Sequence, residues 1–155
     1  MPPQEFAFQN SFKIEILSET YKTLNKSIIE ASIPGITIGS VEQPTSIKPI
    51  FHPSDSIEFS TIDLTFVLDE NYANWKLIFS WLNVLSNFHA INNDYTKIVD
   101  IAIHILSNKF NNEFVIQLED CFPISMTELP INSQVDDTEP MTFTVTFIVN
   151  NMTLD

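Results

Sequence analysis

TIDLTFVLDENYANWKLIFSWLNVLSNF, residues 61–88, passes from a strand period to a helix period within one run. Its first half alternates, with Ile62, Leu64, Phe66 and Leu68 on one side and Asp63 and Thr65 on the other, the period of a half-buried strand. Through Asp69 and Glu70 the period changes. Tyr72, Trp75, Ile78, Phe79, Leu82 and Leu85 fall on one helical stripe, while Lys76, Ser80, Asn83 and Ser86 face elsewhere. Asp69 or Asn71 can cap the first turn, where the helix dipole also favours carboxylates. Burying five or six such side chains at roughly 1.5–3 kcal/mol each gives on the order of ten kcal/mol before conformational entropy is subtracted. This strand and helix organise the chain. Trp81 lies off the stripe and meets either a neighbouring element or a second subunit.

Working outward, the flanks read as strands. Phe12, Ile14 and Ile16 alternate with Lys13 and Glu15, and Ile28 to Ile33 is a second strand closed by Pro34-Gly35. Proline cannot donate to a ladder and Gly35 can take a positive φ, so the pair marks a sharp exit. Ile36 to Val41 runs extended again. Glu42 to Ser60 carries Pro44, Pro49 and Pro53 among serines and threonines. It reads as an extended loop or arm, either partner-bound or simply solvated. After the helix, Ile98 to Leu106 is a near-continuous apolar run, suited to a strand covered on both faces. Phe114, Ile116 and Leu118 continue it as a β-hairpin. Phe122-Pro123-Ile124 is a short irregular passage and Val135 to Pro140 an acidic loop. Met141 to Phe147 closes with Met141, Phe143, Val145 and Phe147 inward and threonines outward.

The whole is 155 residues, 44% apolar, the length of one well-buried core rather than two. We therefore read residues 1–155 as one α+β, mainly β domain, with 1–10 a loose N-terminal arm and 42–60 an extended loop. A net charge of −13, no arginine and seven scattered lysines argue against gripping nucleic acid. Two glycines are too few for phosphate-binding glycine loops. The single cysteine, Cys121, the absence of a secretory-type start and the lack of a ~20-residue apolar segment point to synthesis in a cytoplasm without a membrane anchor.

Constellations that would carry chemistry are missing. His52, His89 and His104 lack the spacing of a zinc pair, and His104 reads as a core or interface histidine with one nitrogen satisfied. Glu119 and Asp120 beside Cys121 raise its pKa and blunt it as a nucleophile. Asp69-Glu70 and Asp136-Asp137-Glu139 lack the ligand spacing of a calcium loop and fit a helix start and a solvated loop. We expect no catalytic residue, no metal and no cofactor.

Several local patterns, in order, resemble the tail tube family of contractile-tailed bacteriophages, including the T4-type tail tube and its tube-like baseplate relatives. Ala31-Ser32-Ile33-Pro34-Gly35-Ile36 is similar to the strand end and turn before that family's long loop. Ile62 to Glu70 with Asn74-Trp75 and Trp81 is similar to its strand, acidic turn and helix. Asp120 to Ser125, Leu129 and Thr142 to Phe147 resemble its aromatic-proline passage and final strand. The resemblance spans about Phe12 to Val149. It implies an antiparallel β-sandwich or partial barrel flanked by one α-helix, six copies joined in a ring, and rings stacked as the conduit for DNA ejection. Implied partners are further copies of the chain, tail sheath, tape-measure and baseplate proteins, with DNA passing through unbound. The implied location is the virion, after synthesis in the host cytoplasm.

The lack of arginine departs from the family, and the chain is shorter than its initiator-type relatives. That favours a plain tube subunit over a baseplate initiator or tail terminator. The reading from a different class is a cytoplasmic enzyme or small-ligand module on the same fold. Under the tube reading, the long loop reaches the adjacent ring through Gln43, Pro44, Pro49, Phe51, His52 and Pro53. A polar strand face with Glu30, Asp63, Thr65, Thr142, Thr144 and Thr146 lines the channel. The alternative is that this face meets outer solvent or the sheath.

Overall fold

A computed structural model describes residues 11–87, 97–107, 112–133 and 139–155. The N-terminal arm, His89 and the Asp136-Asp137 pair lie outside the described residues. In chain order come β1 (Phe12–Leu17), a 3-10 turn (Lys22–Ser27), β2 (Ile28–Ala31), β3 (Ile36–Gln43) and β4 (Ile50–Phe59). Then follow β5 (Ile62–Val67), α1 (Ala73–Ser86), β6 (Val99–Leu106), β7 (Asn112–Met126), β8 (Thr142–Ile148) and β9 (Asn151–Leu154).

Alternation sets the central pairing. β5 lies antiparallel to β8 with Ile62 opposite Phe147, Leu64 opposite Val145 and Phe66 opposite Phe143, so the apolar sets of both strands share one face. From there a single antiparallel sheet runs β1-β6-β7-β8-β5-β2, with β9 also on β7. The fifteen-residue β7 folds this sheet over: its first part pairs β6 and β9, its second part β8. The corner is Asp120, at φ 54°. It is held because Asn150 donates through Nδ2 to Asp120 O at 2.7 Å, and Asp120 N donates to Asp100 Oδ1 at 3.1 Å. The irregular passage expected at Phe122-Pro123-Ile124 is thus part of a strand, with the irregularity reduced to a register shift between Pro123 and Ser125. Ile14, Ile16, Ile101, Ile103, Ile116 and Leu118 of one leaf join Ile62, Leu64, Phe66, Phe143, Val145 and Phe147 of the other in one core. The architecture is the mainly β sandwich or partial barrel with one helix that the sequence implied.

α1 packs on β7 and the 3-10 turn with a different phase from the expected stripe. Its buried residues are Asn74, Ile78 and Trp81. Trp81 is 0% exposed, stacked on Tyr21 at 3.8 Å and edge-on to Phe147 at 5.7 Å, whereas Phe79 is 49% exposed. Trp81 wins the core because Tyr21 and Phe147 offer ring faces and Lys97 O accepts its indole N–H at 2.8 Å. Trp75, half-buried, stacks outward on Phe79. The helix start also differs. Neither Asp69 nor Asn71 caps it; Tyr72 sits there in the left-handed region at φ 58°. Buried Asn74 does the joining, accepting from Trp75 N and Asp69 N and donating to Val67 O.

Residues 42–60, read as an extended loop, include all of β4, which pairs with β3 over Ile36–Gln43 as a separate two-stranded sheet. Its base is clasped by Ser60 N donating to Gly35 O at 2.9 Å and Gly35 N donating to Ser60 Oγ at 2.7 Å. Gly35 turns without a positive φ, contrary to expectation.

Candidate functional site

Two surfaces gather the residues that the sequence singled out. The first is the outward face of β2, β5 and β8. Across the ladder Glu30 stands opposite Thr65, Thr65 opposite Thr144, Asp63 opposite Thr146, and Val67 opposite Thr142. Residues that pair directly share a face, so Glu30, Asp63, Thr65, Thr142, Thr144 and Thr146 lie together. The hydroxyls of Thr65 and Thr144 are 3.1 Å apart, and Thr146 Oγ1 donates to Asp63 Oδ1 at 2.7 Å. Thr127 extends the row, its Oγ1 accepting from Thr144 N at 2.9 Å. Hydroxyls that bond one another stay in fixed rotamers and present a wetted, uncharged strip. Glu30 and Asp63, both exposed, are the charges on this face, and no lysine stands among these positions.

The second surface is the hairpin of β3 and β4. Gln43 ends β3, Pro44 and Pro49 lie in its turn, and Phe51, His52 and Pro53 open β4, so the six positions assigned to the long loop cluster at the distal half. His52 Nε2 and Gln43 Oε1 meet across the strands at 2.7 Å. Nearer the base Ile36 pairs Phe59 and Ile38 pairs Ile57, followed by a bulge opposite Ser54 and Ser56. Gly39 permits it: a Cβ there would lie 2.7 Å from Ser54 Oγ. Ile36, Ile38, Val41, Ile50, Phe51 and Ile57 are all exposed, Phe51 by 62%. An isolated two-stranded hairpin is marginal in water, and apolar side chains exposed on both of its faces mark it as a segment that a partner covers. Sequence reasoning missed Ile36, Ile38 and Ile57 as surface residues. The available signal was that residues 42–60, interrupted by three prolines, cannot be a central strand, so a strand that pairs with them is left without a sheet to cover its isoleucines.

Two further groups singled out by the sequence are held by their surroundings. His104 Nε2 lies 3.3 Å from Glu15 Oε2, and its buried Nδ1 has no partner among the described residues. Lys13, at 3.0 Å, holds the Glu15 carboxyl below its ordinary range against the opposing effect of burial, with His104 helping. Cys121 is buried and its thiol is pushed up to about 12, by burial first and by Asp100 and Asp120 second. Burial rather than the neighbouring carboxylates is thus the main cause of its inertness. Among the described residues no three His, Cys, Asp or Glu side chains converge as a metal-binding set, and no helix is long and apolar enough to cross a membrane.

Residues 2–151 match the family model for phage tail tube proteins. No curated protein matches the chain in sequence. Among solved structures, the chain is similar to one in the cap of the anti-feeding prophage, a tube-terminating cap, at TM-score 0.75 and 15% identity, covering 100% of this chain and 94% of that one. It is also similar to a chain of the extended sheath-tube complex of the PVC extracellular contractile injection system, at TM-score 0.68 and 14% identity, covering 97% and 91%. A chain of the anti-feeding prophage baseplate has the same fold at TM-score 0.66 and 8% identity, covering 98% and 97%.

Proposed function

The chain belongs to the phage tail tube protein family, and from that membership we propose that it is the subunit of a contractile tail's inner tube. Six copies close into a ring, rings stack into a hollow conduit, and the conduit encloses a tape-measure protein before DNA passes. The observation that carries this reading is the family match across residues 2–151. The physical counterpart is a protein that is unfinished alone: its hairpin exposes isoleucines and a phenylalanine, and among the described residues no strand pairs with the outer edges of β1 and β2. Ring closure and stacking cover both, which removes the hazard of uncontrolled edge pairing.

Under this reading the β2-β5-β8 face lines the lumen. Each acidic position then recurs six times around the wall, and charges within a Debye length of ~8 Å at physiological salt act together. DNA carries one negative charge per ~1.7 Å of duplex. A wall of carboxylates and mutually bonded hydroxyls repels it, centres it and offers it no cation to pause on. The mechanism is conduction, without a catalytic group. The hairpin reaches the adjacent ring, sheath packs outside, a baseplate nucleates the stack, and the product sits in the virion after synthesis in the host cytoplasm.

A terminal ring is the second reading, because the same fold occurs in a tube-terminating cap and in a baseplate. Negative-stain microscopy of the purified protein tests the first: rings or tubes with a central hole support it, and a monomer at high concentration that binds a small molecule tightly contradicts it. Gold labelling of a tagged chain in whole particles separates the two, along the tail's length for a tube subunit and at one end for a terminal ring.

A further inference from the structure

The outer edge of β1 faces the 3-10 turn and the start of β2 across a groove of about 370 Å³, lined by Phe12, Lys13, Ile14 and Glu15 on one side and Asn25, Lys26 and Ile28 on the other. Backbone direction can be worked out on the β1 side. Ser11 O accepts from Leu106 N at 2.9 Å, so the odd-numbered residues of β1 bond toward β6. Ile16 faces away, its N–H donated to Asn25 Oδ1 at 2.7 Å. By the same alternation the N–H and C=O groups of Phe12 and Ile14 point into the groove, where an added strand can meet them. Lys26 is exposed and has no ion pair among the described residues, while Lys13 is shared with Glu15.

We propose that this groove is the receptor for the β3-β4 hairpin of a neighbouring copy, with β3 adding to the open edge of β1 and Lys26 facing the hairpin's carboxylates. The proposal rests on the reading that copies associate into rings or tubes, and it identifies the surface that receives the arm. Three features select the hairpin. Among the described residues it makes no extensive contact with another element of its own chain beyond its base, where Gly35 and Ser60 clasp it and Phe59 packs against the core, and β4, with ten residues at ~3.3 Å each, reaches about 30 Å. β3 contains no proline, so its outer edge can donate along its length, whereas β4 is interrupted by Pro53. Over residues 36–60 the hairpin carries Glu42, Asp55 and Glu58 against Lys48, and in a chain of net charge −13 an acidic arm is repelled from most surfaces. The groove, with two lysines against Glu15, is a place where it is not.

The test is disulfide trapping in assembled protein. Lys26→Cys is combined in turn with Glu42→Cys, Phe51→Cys and Ile57→Cys, and the assemblies are oxidised and run on denaturing gels, with images of the same samples. The native thiol of Cys121 does not compete, being buried and pushed up to about 12. A ladder of covalent multimers from at least one hairpin position, absent when Phe51→Cys is paired with Ser80→Cys on the helix, is the expected result. Assembled particles without a ladder from any of the three positions overturn the proposal and leave the tube reading standing. An intramolecular bridge from Lys26→Cys to Gln4→Cys in place of the ladder assigns the groove to the chain's own start and likewise overturns it. Protein that forms no rings or tubes at all contradicts the tube reading itself, and the proposal with it. Independently, Lys26→Glu should raise the concentration needed for assembly without moving the monomer's melting temperature; an unchanged assembly threshold counts against the electrostatic part.

Discussion

Trp81 stacks on Tyr21 at 3.8 Å and meets Phe147 edge-on, with its N–H satisfied by Lys97 O. Truncating it removes a large buried ring from a closed core, so Trp81→Ala should lose about 3–5 kcal/mol of unfolding free energy. Phe79→Ala, on the exposed side of the same helix, should lose well under about 1 kcal/mol. Urea titrations of both variants check the helix phase, and equal losses would refute it. Periodicity could show that the helix exists, but a stripe from Tyr72 to Leu85 and one from Asn74 through Trp81 differ by a single residue of rotation. What chose between them was Tyr21, sixty residues away in sequence, and no local pattern carries that information. Two titrating groups add pH dependence with opposite signs. Glu15 is held below its ordinary 4.5, so its contribution is complete above that pH and drains away as pH falls through the lowered folded value. Cys121 is raised from 9.0 to about 12, so folding gains from the buried neutral thiol below pH 9.0, and the gain is lost as pH rises toward 12. Cys121→Ser should therefore flatten the alkaline limb of a thermal-melt series, and Glu15→Gln the acid limb.

At the scale of elements, the hairpin of β3 and β4 is the part whose removal should separate folding from assembly. Replacing residues 41–52 with an Asn-Gly turn preserves the Ser40-Pro53 pairing and the Gly35-Ser60 clasp while deleting the distal half. The melting temperature of the monomer should stay within a degree or so, because the deleted residues are all exposed and none belongs to the core among the described residues. Ring stacking should be lost, as read by microscopy or by sedimentation; full-length tubes from this variant would remove the inter-ring role. β5 and β8 were legible because isoleucines, phenylalanines and threonines alternate without interruption. β4 was not, because Pro53, Ser54, Asp55 and Ser56 break the period at a bulge, and a strand with both faces exposed has no reason to alternate. β9 escaped notice for a related cause: Asn151, Met152, Thr153 and Leu154 are too few and too polar to signal, and they are placed by running on from β8 along the same edge of β7.

For the whole molecule, the governing quantities are the net charge of −13 and its placement. The six channel candidates were read from period two alone, and the ladder brings them onto one face because direct pairing in an antiparallel sheet preserves sides. Which way that face points is a property of the assembly, not of the chain, and so lies beyond any single-chain pattern. Replacing Glu30 and Asp63 with lysine changes two exposed positions, so folding should be nearly unaffected. Assembled tubes should then retain DNA at low salt and release it as ionic strength rises, measurable by co-sedimentation. No added retention would move this face to the outside of the tube. Cryo-electron microscopy of the purified, assembled protein would show whether the chain is a ring-forming tube subunit with this face inward. The expected result is six-fold rings stacked around a hole, with Glu30, Asp63 and the threonine row on the inner wall. A particle that stays monomeric at every concentration, or a ring carrying those two carboxylates on its outer surface, would contradict it.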